Sequence, residues 1–211
     1  MSQAFVGVLC GVGAAHLVAY YSGHRAIAGV LKSLPVLALA ATVAAGAAHA
    51  GYGRLVTAGL LASAAGDVCL VFPSGFLFGL GAFLLGHLCY VGAFATGAVV
   101  TGVSLIAAAA LGVAAGLMLR YLWPHVRTSR VRWPVVVYLA AISAMAWCAI
   151  ASATAPGAAA AAAAGAIGAV AFMVSDSVLA VNRFARPFAG AHAVVMVMYY
   201  AAQMLIARSA L

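Results

Sequence analysis

The fold class this chain predicts is all-α: a polytopic membrane bundle of eight transmembrane helices. Three observations carry that reading. The 211 residues are 68% apolar and only 6% charged, against roughly a quarter charged in soluble domains. Their mean hydropathy is +1.20. Apolar stretches long enough to cross a bilayer, about 20 residues each, follow one another with only short breaks. No length is left for a separate soluble domain, so residues 1–211 read as a single transmembrane domain.

Cutting at charges, prolines and glycine-rich breaks places the spans at about 2–22, 31–49, 54–72, 76–98, 101–121, 134–153, 157–181 and 188–209. The first lacks a basic region ahead of its apolar stretch and reads as a span rather than a cleaved signal. The second opens on a lysine after HRAIAGVLK. AGYGR separates the second from the third, and FPSG the third from the fourth. Thr101-Gly102 alone divides the fourth from the fifth. The basic stretch RYLWPHVRTSRVRWP leads into the sixth, TAPG into the seventh and NRFARP into the eighth. Breaks this short make consecutive helices antiparallel neighbours. Gly7-x3-Gly11, Gly75-x3-Gly79 and Gly112-x3-Gly116 have the spacing that permits close helix approach, and the alanine run 158–164 reads as a tightly packed face.

The formal charge of +8 is spread between spans rather than gathered in a patch. It signals topology and contact with anionic membrane lipids, not nucleic-acid binding. Eight basic residues (Arg25, Lys32, Arg120, Arg127, Arg130, Arg132, Arg183 and Arg186) fall on one side and two (Arg54 and Arg208) on the other. The positive-inside rule then puts the richer side in the cytoplasm and both termini on the far face. The membrane is the cell membrane in a bacterium and the endoplasmic reticulum in a eukaryote. The four cysteines lie inside apolar segments without CxxC spacing and read as small packing residues.

Asp67 and Asp176 are the sole acidic residues, and each sits in a long apolar run, GLLASAAGDVCLVF and GAIGAVAFMVSDSVLAV. An ionisable group at that depth is costly and points to function; a plain helix-packing contact is the competing explanation. Both acids fall about one and a half turns before the cytoplasmic ends of their spans. Lys32, Tyr138, Asn182 and Arg183 fall in the same layer, which predicts one polar cavity open to the cytoplasmic leaflet. His87 and Tyr90 share a helix face, as do Tyr200 and Gln203, and Tyr199 pairs with Gln203 one turn on. His16, His24, His49, His125 and His192 lack ligand spacing, so no metal is expected. A faint internal echo relates Gly59 to Gly168, Asp67 to Asp176 and Tyr90 to Tyr199, each 109 residues apart.

Six stretches together resemble the YhhN-type lysoplasmalogenase family: LKSLPVL (31–37), SAAGDVCLVF (63–72), FLFGLGAFLLGHLCYVGAF (76–94), VYLAAISAMAW (137–147), FMVSDSVLAVNRF (172–184) and YYAAQMLIARS (199–209). Ser33 departs from the proline that more often follows the lysine there. The resemblance implies eight helices, no cofactor, and hydrolysis of the vinyl ether of a lysophospholipid, the lysoplasmalogen, to a fatty aldehyde and glycerophosphoethanolamine or glycerophosphocholine.

Two carboxyl groups suit that chemistry. Vinyl ether hydrolysis needs a proton delivered to an alkene carbon and then water attack on an oxocarbenium-like cation, a state shared with glycoside hydrolysis. Asp176, among Phe172, Met173 and Leu179, is the expected proton donor, and Asp67, near Lys32, the ionised partner. Lys32, Asn182 and Arg183 are the expected phosphate contacts, with Tyr138, His87, Tyr90, Tyr200 and Gln203 as further substrate-binding candidates. The competing class is a proton-coupled transporter using the same acids, although the broken mid-span helices common in carriers are absent from the pattern. No GxSxG elbow points to a serine esterase. A cysteine placed in loop 125–132 is expected to react with an impermeant thiol reagent only after the cells are opened; labelling in intact cells reverses the topology.

Overall fold

In a bilayer a segment must satisfy its own backbone hydrogen bonds, so apolar runs of this length have little choice but helix. The computed structural model describes residues 1–46 and 51–211. They form α1 (Gln3–Tyr21), α2 (Arg25–Ala45), α3 (Tyr52–Cys69), α4 (Phe76–Ala95), α5 (Gly102–Val126), α6 (Arg132–Ala153), α7 (Ala160–Ala180) and α8 (Ala191–Arg208). Seven of these eight are long and apolar enough to cross a membrane. The remaining one, α3, has 18 residues and carries Arg54 and Asp67 in its apolar sequence. His49, weighed above as a ligand, lies outside the described residues.

Two boundaries differ from expectation for a common reason: hydropathy marks charges, whereas helices end at caps and steric breaks. α2 begins at Arg25, so Lys32 sits about two turns inside the helix rather than at its start. α5 continues through Arg120 and Pro124 to Val126; a long basic side chain can keep its helix and still reach polar surroundings. At the other end of α5, Thr101 and Ser104 form a reciprocal capping box, which gives the weak Thr101-Gly102 cut a physical basis. Gly190, at φ 81°, supplies the left-handed residue that turns the chain into α8.

Consecutive helices pack against each other from α1 to α4 and again from α5 to α8. The two runs of four are joined where α4 meets α6 and α2 meets α8. The 109-residue offset seen in the sequence carries α2 onto α6, α3 onto α7 and the α4–α6 contact onto the α8–α2 contact. The weak echo thus follows a pseudo-symmetric arrangement of the helices.

Of the three expected pairs, only Gly75-x3-Gly79 lies at a close approach, where a Cβ on Gly79 would fall 2.8 Å from Leu70 and 3.3 Å from the Gly66 carbonyl oxygen. Among the described residues, a Cβ on Gly7, Gly11, Gly112 or Gly116 would meet nothing within 4 Å, so these positions face outward. Close approach occurs at Gly66, where a Cβ would fall 2.7 Å from the Phe83 ring, and at Gly168, where it would fall 2.9 Å from the Ala202 carbonyl oxygen. The alanine run 158–164 is likewise mostly exposed. α7 packs through Gly165, Gly168, Ala169, Phe172 and Ser175 instead. Spacing permits close approach, but the neighbouring helices decide which face uses it.

Gly168→Ala is therefore expected to lower the thermal unfolding midpoint in detergent, because the obstructing atom is backbone; overpacking of this kind costs about 1–3 kcal/mol. Gly112→Ala, in open space, is expected to leave it unchanged or raise it.

Candidate active site

Each acid is held by two neighbouring helices. Asp67 of α3 is 1% exposed. Lys32 of α2 places Nζ 3.1 Å from its Oδ1, and the Tyr199 hydroxyl of α8 donates to its Oδ2 at 2.7 Å. Both carboxylate oxygens are therefore engaged. Asp176 of α7 accepts from the Tyr138 hydroxyl of α6, and His87 Nε2 of α4 stands 3.8 Å from the same Oδ2. The two sets obey the helix pairing of the fold: α2 and α8 serve Asp67, α6 and α4 serve Asp176. Their chemistry differs, with a lysine and a tyrosine on one side and a tyrosine and a histidine on the other.

Phe172 links the two halves. Its ring packs edge-on against His87 at 4.7 Å and against Tyr199 at 5.4 Å between centroids. Only Asp176, however, opens on a cavity. This cavity lies between α4, α5, α6 and α7, with about 690 Å³ of empty volume including its mouth. Its walls are chiefly apolar, among them Leu80, Met118, Leu122 and Leu139, with Tyr138, Asp176, Ser177 and Arg183 as polar points. The layer of polar residues in the sequence predicted a polar cavity holding both acids; the cavity is apolar, and Asp67 and Lys32 are not on its wall. Asp67 points from α3 toward α2 and α8, and that azimuth depends on helix packing rather than depth.

The other expected residues divide. Arg183 is exposed at the cavity, its guanidinium 4.8 Å from the Phe76 ring centre. Asn182 accepts from the Phe188 backbone N–H at 3.1 Å and shapes the turn into α8; it does not line the cavity. Tyr90 is buried and donates to Gln203 Oε1 at 2.7 Å. Tyr200 faces the other way from Tyr199 and donates to the Lys32 carbonyl at 2.9 Å. Lys32 sits in this constellation, but its ammonium is taken by Asp67.

Sequence reasoning missed Tyr199 as a partner of an acid, although the 109-residue echo marked it. It also missed the pairing of His16 with His192, whose Nε2 atoms lie 3.1 Å apart across 176 residues of chain. Their sequence spacing carries no sign of it.

The YhhN family model matches residues 27–210. The chain is similar to human lysoplasmalogenase TMEM86B, 38% identical over 184 residues that cover 87% of this chain and 75% of that one. It is similar to a lysoplasmalogenase of Mycobacterium tuberculosis, 37% identical over 170 residues, covering 77% and 62%. Human lysoplasmalogenase TMEM86A is 34% identical over 156 residues, covering 72% and 63%. No solved structure matches the chain.

Removing one member of a buried ion pair leaves the other uncompensated, at a cost of about 3–5 kcal/mol. Lys32→Met is expected to be destabilised on that scale in thermal unfolding, and adding Asp67→Asn to the same protein is expected to restore most of the loss. Equal stability of the single and double variants would show that the pair is not coupled.

Proposed function

The chain belongs to the YhhN family, and from that premise we propose that it is a lysoplasmalogenase, hydrolysing the vinyl ether of lysoplasmalogens within the membrane. The observation that carries the mechanism is the unequal company of the two acids. Asp67 has a lysine ammonium against it and is set to stay ionised. Asp176 has no cation in contact among the described residues, accepts from a tyrosine and opens on an apolar cavity. It is therefore set to carry a proton to substrate.

The alkenyl chain would lie along the apolar wall, with its vinyl ether against Asp176. The exposed Arg183 guanidinium would hold the phosphate, a role that suits its planar fork of donors. Asp176 protonates the alkene carbon one removed from the ether oxygen. The cation then forms at the oxygen-bearing carbon, beside the carboxylate just created. Water adds there, and the hemiacetal collapses to aldehyde and glycerol hydroxyl. Asp67, with both oxygens engaged, acts as a positioning residue: it holds Lys32 and anchors Tyr199 behind Phe172. The carrier reading gains no support from the relatives reported above. The basic residues of segments 127–131 and 181–186 support a cavity mouth that faces the cytoplasm.

Purified protein is expected to release aldehyde from lysoplasmalogen and none from the saturated ether analogue. Asp176→Asn is expected to lower turnover by about 100-fold or more, and Asp67→Asn to lower it substantially with the protein still folded in detergent. Near-normal turnover by Asp176→Asn would refute the proton-donor assignment.

A further inference from the structure

His87 is fully buried, and among the described residues neither Nδ1 nor Nε2 has a hydrogen-bond partner. Burying an unpartnered polar group is unfavourable. If the site required only a ring between Tyr138 and Phe172, a phenyl group would fill it without that cost. Both neighbours meet His87 edge-on, at 5.0 Å and 4.7 Å between centroids, and hold the imidazole in one orientation. Its Nε2 stands 3.8 Å from Asp176 Oδ2. That separation is too long for a direct hydrogen bond. A third atom roughly 2.8 Å from both groups would bridge them, and admitting one requires the closed packing around Nε2 to part. Asp67, by contrast, has both oxygens occupied, so it is poorly placed to receive a proton from water.

We propose that His87 is the general base of the reaction, holding the attacking water beside Asp176 and accepting its proton. The proposal rests on the vinyl ether hydrolysis put forward above. Once Asp176 has given its proton to the alkene carbon, the water oxygen bonds to the oxygen-bearing carbon of the cation. One water O–H bond breaks, and its proton moves to an imidazole nitrogen of His87. In the collapse of the hemiacetal, the carbon–oxygen bond to glycerol breaks and His87 returns its proton to the departing oxygen. The hemiacetal hydroxyl gives its proton to the Asp176 carboxylate, leaving aldehyde and both side chains as they began. Atoms and charge balance without a co-reactant.

The assignment is tested in D2O with His87→Ala and, as the variant nearer in shape and polarity, His87→Gln. Both are expected to bind the saturated ether analogue as wild type does, and to lose about 100-fold or more in kcat with little change in KM. With capture by water slowed, Asp176 should take its deuteron or a proton back from the cation. Recovered lysoplasmalogen should then accumulate deuterium at the alkene carbon distal to oxygen, which Asp176→Asn should not produce. Retained kcat overturns the proposal. So does lost turnover without deuterium in the recovered substrate, or loss of analogue binding in both variants, since each places His87 in protonation or packing rather than capture. A wild-type protein that releases no aldehyde would instead overturn the lysoplasmalogenase reading itself.

Discussion

The Lys32–Asp67 ion pair ties α2 to α3 deep in an apolar bundle, and Tyr199 extends it to α8. Two charges in such surroundings are tolerable only if they neutralise each other and find hydrogen bonds. Meeting that demand turns α3 so that its carboxylate faces two other helices. Small residues on α3 then allow the approach: Gly66 lies against Phe83 and Ser63 against Gly86. The position of α4, and with it of His87 and Tyr90, follows from that packing.

The pseudo-symmetry of the helices makes the difference between the acids more informative. Related helices surround Asp67 and Asp176, yet a lysine stands against one while a tyrosine and an unpartnered histidine stand against the other. One arrangement neutralises a charge, and the other leaves a carboxyl facing an apolar cavity with an imidazole, unpartnered among the described residues, behind it. Helices related by the 109-residue offset thus hold two different electrostatic environments, the condition for two carboxyl groups to take different roles. Phe172 keeps the two environments in contact while separating their hydrogen-bond networks.

Much of this was legible in the linear chain. Composition and apolar run length are sufficient for a helical membrane bundle, because lipid leaves the backbone few alternatives. Two acids in a chain almost free of acidic residues identify themselves, and their equal distance from the ends of their spans predicts a shared layer. The same counting along the helices puts Lys32 and Tyr138 in that layer. Helix ends were less legible: Lys32 and Arg120 marked breaks by charge, yet the helices run through both.

Azimuth was beyond reach of the sequence. A residue's depth follows from counting along a helix, but the neighbour it faces depends on how all the helices rotate and pack. Depth alone therefore put Asp67 and Asp176 in one cavity, whereas packing gave Asp67 to Lys32 and Tyr199 and left only Asp176 on the wall. The same reason separates Tyr199 from Tyr200, adjacent in sequence and turned to different partners, and sets Gly168 at a close contact while Gly112 faces open space. The sequence by itself determined the class of fold and the few residues capable of chemistry; the tertiary structure decided which of them meet, because contacts between helices are properties of the whole bundle and not of any one span.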